Sequence, residues 1–106
     1  MPKTNLLFVC SRNKRRSLTA EMIFRNHEKF DVKSCGTSPQ SRVKINEKLI
    51  RWADTIYVME KRHKEIITQQ FRSEIQGKIL KVLFIPDEFE LMDERLIEIL
   101  QEKITS

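Results

Sequence analysis

Residues 10–17 read CSRNKRRS: one thiol, four basic residues among the next six, then a serine. The spacing from Cys10 to Arg16 is C-x5-R, and Ser17 follows. Five intervening residues are enough to curl a backbone so that successive N–H groups converge on one anion, and a helix starting at the serine aims its positive end at the same point. Arg16 adds a bidentate guanidinium contact to phosphate oxygens. That field favours thiolate over thiol at Cys10, and a thiolate held in an anion cradle is a nucleophile in line with a phosphorus atom. Ser17 is placed to hydrogen-bond the sulfur. Asn13, in mid-loop, tolerates a left-handed backbone better than most residues. Ser11, Arg12, Asn13, Lys14, Arg15 and Ser17 are therefore candidate phosphate- or substrate-binding residues around Cys10 and Arg16. A competing reading is a basic patch of the kind that meets nucleic acid and happens to contain a cysteine.

The loop needs a strand before it and a helix after it. Residues 5–10, NLLFVC, form a continuous apolar run, as in a strand buried on both faces. From Ser17, apolar positions recur at Ala20, Ile23, Phe24 and His27, a helical face. Residues 31–35 predict a second strand closed by Gly36, and 38–44 a loop. Asn46 caps a helix over 47–53. Strands over 54–60 and 78–85, the latter ended by Pro86, enclose a helix over 61–71. Asp93 caps a last helix over 94–104. The order β-α-β-α-β-α-β-α predicts one three-layer α/β domain over residues 1–106: a four-stranded parallel sheet with helices on both faces. Ligands of such sheets bind beyond the carboxyl ends of the strands. Cys10, Gly36, Met59 and Asp87 all fall at or just after those ends.

Length and composition set the limits. The 106 residues suit a single small core, and 40% hydrophobic with 33% charged content argues against disorder. No apolar run has the length of a membrane span. The N-terminal apolar segment reads as a strand rather than a signal peptide, so a cytoplasmic location is expected. A formal charge of +5 favours anionic partners. Cys10 and Cys35 are too few for a disulfide scaffold, and His27 and His63 stand alone, with no metal-ligand spacing. His63 reads as a core or rim histidine, Trp52 and Tyr57 as core residues, and Cys35 as a structural thiol.

LFVCSRNKRRSLTAE resembles the active-site loop of the low-molecular-weight protein tyrosine phosphatases, V-C-x-x-N-x-x-R-S with a following A-E. Val9, Cys10, Asn13, Arg16, Ser17, Ala20 and Glu21 match in place. SCGTSP (34–39) is similar to the family's S-A-G-T segment, whose serine supports the loop asparagine; here that is Ser34. PDEF (86–89) stands where the family has D-P, with the general acid. The resemblance implies a phosphotyrosine protein phosphatase I-like fold and a two-step reaction. Cys10 attacks phosphorus, Arg16 and the loop amides bind the oxygens, and Asp87 serves as acid and then base. It implies no metal or cofactor, because the amides and Arg16 supply the positive field.

The chain departs from the family at several positions. Arg12 stands where the family has glycine, and Arg15 where it often has a second cysteine. Cys35, at the end of the neighbouring strand, is the only other thiol and is expected near Cys10. The missing length falls between Thr37 and Trp52, where the family carries an aromatic specificity loop and a network histidine. Phe89 is then the aromatic wall that remains. Asp87 is the expected acid, with Glu88 and Glu90 close in sequence. The leading expectation is a cysteine-dependent phosphatase for a phosphorylated protein or a small phosphorylated or polyanionic substrate, with no membrane partner. The alternative is a non-catalytic phosphate- or polyanion-binding module, with nucleic acid among its ligands. An arsenate reductase would need more downstream cysteines, and phospho-cysteine sugar carriers lack the arginine at this place.

Overall fold

The computed structural model describes residues 2–105, so the two terminal residues of the expected domain lie outside it. The central strand is β1 (Thr4–Cys10), followed by α1 (Arg16–Phe24), β2 (Phe30–Gly36), α2 (Glu47–Trp52), β3 (Thr55–Val58), α3 (Lys61–Gln70), β4 (Ile79–Val82) and α4 (Glu94–Thr105). The sheet order is β2-β1-β3-β4, with every pair parallel. The chain runs from β1 outward to β2, then returns past β1 to β3. The carboxyl ends of β1 and β3 therefore flank the switch point, where side chains from both can reach one crevice.

The pleat of β1 divides the core. Leu6, Phe8 and Cys10 face the side covered by Ala20 and Phe24 of α1 and Leu96 and Leu100 of α4. Leu7 and Val9 face the other, under Ile50 of α2 and Ile67 of α3. Burying side chains of this size contributes about 1.5–3 kcal/mol each, so both layers hold β1 in one register. Val9 is level with Cys35 and Cys10 with Gly36. Period-2 alternation sends Cys35 to Val9's side of the sheet and Cys10 to the opposite one. The two thiols are neighbours along the sheet but do not face each other. Both are free, and burial, then the neighbouring Cys10, pushes the Cys35 thiol up.

Three expected boundaries shift. Helix α1 stops at Phe24, and His27 instead stacks on Phe30 at 4.5 Å. Strand β3 ends at Val58, which frees Glu60 to cap α3. Strand β4 ends at Val82 rather than before Pro86. Leu83 and Ile85 still donate to Val58 and Met59 carbonyls at 2.8 Å, but Phe84 between them takes φ 56°, breaking the ladder and turning its ring to solvent. The expected caps form: Asn46 Oδ1 accepts from Leu49 N at 2.9 Å, and Asp93 Oδ1 from Arg95 N at 2.8 Å.

Candidate active site

The 11–16 loop is shaped by what its carbonyls do. Thr37 N donates to Cys10 O at 3.0 Å, Ser38 N to Ser11 O at 2.9 Å, and Arg42 N to Arg12 O at 3.0 Å. Ser41 Oγ adds a bond to Ser11 O, and Arg42 Nε one to Asn13 O. With its carbonyls drawn outward onto residues 37–42, the loop can turn N–H groups inward, the arrangement that binds anions. Gly36 makes room for this: a Cβ there would lie 2.6 Å from Ser11 O and collide with Ser41. No side chain caps α1, so its first-turn N–H groups remain available at the same point.

Behind the loop lies a buried polar chain with a direction. Asn13 adopts φ 58°, which lets its N–H donate to Cys10 Sγ at 3.2 Å. Its amide nitrogen donates to Ser17 Oγ at 2.7 Å and to Ser34 Oγ at 2.8 Å. Ser34 Oγ donates in turn to Glu21 Oε1 at 2.8 Å. Ser17 Oγ lies 2.9 Å from Cys10 Sγ and 3.3 Å from Cys35 O. A serine has one proton, so a thiolate at Cys10 draws the Ser17 hydroxyl onto sulfur and away from that carbonyl. Asn13 and Ser17, expected among the substrate-binding residues, are wholly buried and serve the sulfur rather than facing the cavity. Among the buried side-chain polar atoms of the described residues, Asn13 Oδ1 alone is left without a partner.

Arg16 is 2% exposed, so its charge must be met internally. Nη1 donates to Glu60 at 2.6 Å and to Ile85 O at 2.7 Å. That leaves Nε and Nη2 as a fork of donors on a side chain that lines the cavity, with Nε 3.8 Å from Asp87. Glu60 also accepts from Arg62 at 3.0 Å. Burial works against the Glu60 carboxylate, but the Arg16 and Arg62 bonds prevail and hold it below the usual range.

His63 is fully buried, and its tautomer follows from its neighbours. Glu60 N–H donates to Nδ1 at 3.0 Å, so Nε2 carries the hydrogen and donates to Ser11 Oγ at 3.0 Å. Burial first, then the charges of Arg16 and Arg62, pull its pKa down to about 4, opposed by Glu60 and Asp87. His63 thus holds Ser11, a role its place on an apolar helical face did not suggest. Glu60, Arg62, Ser41, Arg42 and Glu21 were likewise unassigned. Of these only Glu21 carried a signal, as part of the matching A-E.

These elements surround a cavity of about 460 Å3. Cys10, Ser11 and Arg16 line its depth, and the exposed Arg12, Lys14, Arg15 and Arg62 line its mouth. Asp87 is the one lining acid among the described residues, 3.8 Å from Arg16 Nε. Glu88 and Glu90 do not reach the cavity; Glu90 lies 3.9 Å from Arg15. Phe89 corrects an expectation. It is 4% exposed, packed in the core under Arg95, and forms no wall of the site. Among the described residues no helix is long and apolar enough to cross a membrane, and no group of three ligating side chains could hold a metal.

A parallel α/β domain with a C-x5-R loop at its switch point defines the class. The sequence matches no family model and no curated protein. Solved structures do match along nearly the whole chain. A low-molecular-weight protein tyrosine phosphatase from Streptococcus pyogenes is 15% identical, covers 97% of this chain and 94% of its own, and has a TM-score of 0.76. The YwlE arginine phosphatase of Geobacillus stearothermophilus is 23% identical over 95% and 92% of the two chains, with a TM-score of 0.72. The tyrosine phosphatase Wzb of Escherichia coli K30, in complex with phosphate, is 19% identical over 95% and 93%, with a TM-score of 0.70. The chain has the low-molecular-weight protein tyrosine phosphatase fold.

Proposed function

We propose that the protein is a cysteine-dependent phosphatase that hydrolyses phosphomonoesters through a phospho-cysteine intermediate. One observation carries the reading: Cys10 Sγ accepts the Asn13 N–H and lies within hydrogen-bond distance of Ser17 Oγ, in a cavity that also holds the Arg16 fork and Asp87. In the first step Sγ attacks phosphorus and the ester P–O bond breaks. The leaving oxygen takes the Asp87 proton. Arg16 and the loop N–H groups stabilise the charge on the three equatorial oxygens, without any reorganisation at the moment of reaction. In the second step water attacks phosphorus while Asp87 takes its proton. The P–S bond breaks, and the thiolate leaves onto the Ser17 hydroxyl and Asn13 N–H. The products are an alcohol or phenol and orthophosphate. The likeness in fold to tyrosine and arginine phosphatases supports the reaction class.

The test is hydrolysis of p-nitrophenyl phosphate. Turnover should vanish in Cys10→Ser; turnover surviving there would refute the mechanism. Asp87→Asn should slow the first step, read as single-turnover release of the alcohol or phenol, by about 10²–10⁴-fold for esters with poor leaving groups and much less for p-nitrophenyl phosphate. Equal slowing of both would remove Asp87 as the acid.

A further inference from the structure

In the phosphatase reading the loop N–H groups, the first turn of α1 and Arg16 suffice for one phosphoryl group. Four further cations nevertheless stand at the mouth of the same cavity: Arg12, Lys14, Arg15 and Arg62. Their neighbouring acids do not balance them. Glu60 bonds Arg62 but is already engaged by the buried Arg16. Glu90 reaches Arg15 only at 3.9 Å, and Arg12 and Lys14 form no ion pair with any described residue. Like charges gathered at one opening repel unless an anion sits between them. The cavity, at about 460 Å3, lies within the range of about 300–1,000 Å3 typical of small-molecule sites, so there is room beyond the scissile group. Its lining sets five cations against one acid, Asp87, and includes no aromatic residue. Phe89 is turned into the core, and the exposed Phe84 belongs to a separate groove with Pro86 and Lys61. No ring is offered for stacking.

We propose that this mouth is a second anion subsite, and that the substrates are small phosphomonoesters carrying another phosphate within about one sugar's span of the scissile one. The proposal rests on the phosphatase reading for its chemistry but not for its binding. Arg12 and Arg62 offer planar forks that match phosphate oxygens, and Lys14 adds a mobile point charge. Arg62 is oriented in advance by Glu60, so less side-chain freedom is lost when it engages a ligand. The cations line one cavity rather than tracking across a surface, and no aromatic residue lines it with them. Those two features separate the site from a single-strand nucleic-acid groove.

Calorimetric titration of Cys10→Ser, which keeps the cradle without turnover, tests the subsite with a matched pair. Adenosine 3′,5′-bisphosphate should bind at least tenfold more tightly than adenosine 5′-monophosphate at the same ionic strength. Adding Arg12→Ala and Lys14→Ala should shrink that ratio below threefold, and raised salt should narrow it as well. Equal affinities in the parent, or a ratio that survives both substitutions, would overturn the proposal. So would a 5′-phosphorylated oligonucleotide that binds more tightly than the bisphosphate. If the double substitution abolishes binding of both nucleotides, Arg62→Ala alone decides, by the same ratio. The two readings fail separately. Turnover of p-nitrophenyl phosphate without a bisphosphate preference removes the subsite, and the preference without turnover removes the phosphatase.

Discussion

The two sides of the 11–16 loop are built on opposite rules. Behind it, the buried Asn13, Ser17 and Ser34 run to the half-buried Glu21 through bonds with an assigned donor and acceptor, and Asn13 Oδ1 is the one atom of that chain left unpartnered. In front, Arg12 and Lys14 are exposed cations paired with nothing described. A buried polar group must be satisfied by the protein itself, because leaving it unmet costs about 1–3 kcal/mol, whereas an exposed charge is satisfied by water. The rear layer is therefore fixed by folding. The front layer is free to be set by what enters. The difference teaches where each kind of information would lie in the proposed phosphatase: the reaction behind the loop and the choice of substrate in front of it.

Substitutions on the two sides should separate accordingly. The largest effect is expected at Arg16, where the layers meet. Arg16→Lys keeps a charge but loses the fork, and should lower kcat by about 10²–10³-fold, comparable to losing one oxyanion donor. A drop of less than fivefold in steady-state hydrolysis would mean that the guanidinium geometry is unimportant. Ser34→Ala comes next. It strands an Asn13 N–H and an acceptor on Glu21, and should cost about 1–3 kcal/mol in urea denaturation. Lys14→Ala, on the front, should stay within about 0.5 kcal/mol of wild type. Equal costs at the two positions would erase the contrast.

The last test is a pH dependence at His63. Its pKa is lowered from 6.5 to about 4 by burial and by Arg16 and Arg62. The unfolded chain therefore binds a proton that the folded chain refuses between those values. This contribution to stability is complete above pH 6.5 and is lost as pH falls through the window toward 4, at up to about 1.4 kcal/mol per pH unit. Denaturation at a series of pH values should show that slope in wild type and a shallower one in His63→Gln. Parallel slopes would free His63 from this role.

How much of this was legible in the sequence follows the distances along the chain. The element order and the parallel sheet came from local patterns, the apolar run of β1 and the caps at Asn46 and Asp93. The cluster of Cys10, Asn13, Arg16 and Ser17 came from one eight-residue motif, and Ser34 through the family resemblance. Glu60 and His63 act on Arg16 and Ser11 across 44 and 52 residues. Nothing in EKRHKE distinguishes a buried capping pair from a solvated charge run until β3 ends two residues before Glu60. Phe89 could be placed near the site by its spacing from Asp87, but not oriented. Its inward turn is a matter of packing against α4, which no local pattern encodes. The separation of Cys10 from Cys35 was within reach, because strand alternation alone puts them on opposite faces once the β1–β2 register is known. That register is a tertiary fact.

The central claim is that Cys10 becomes covalently phosphorylated. Mixing enzyme with excess p-nitrophenyl phosphate and following p-nitrophenol on the millisecond scale, with rapid quench and intact-mass analysis, tests it directly. The account predicts a phosphoryl adduct on Cys10 in wild type, and its accumulation in a variant such as Asp87→Asn that is slowed in the second step. Turnover at full rate with no adduct on Cys10 at any time, or an adduct on another residue, would contradict it.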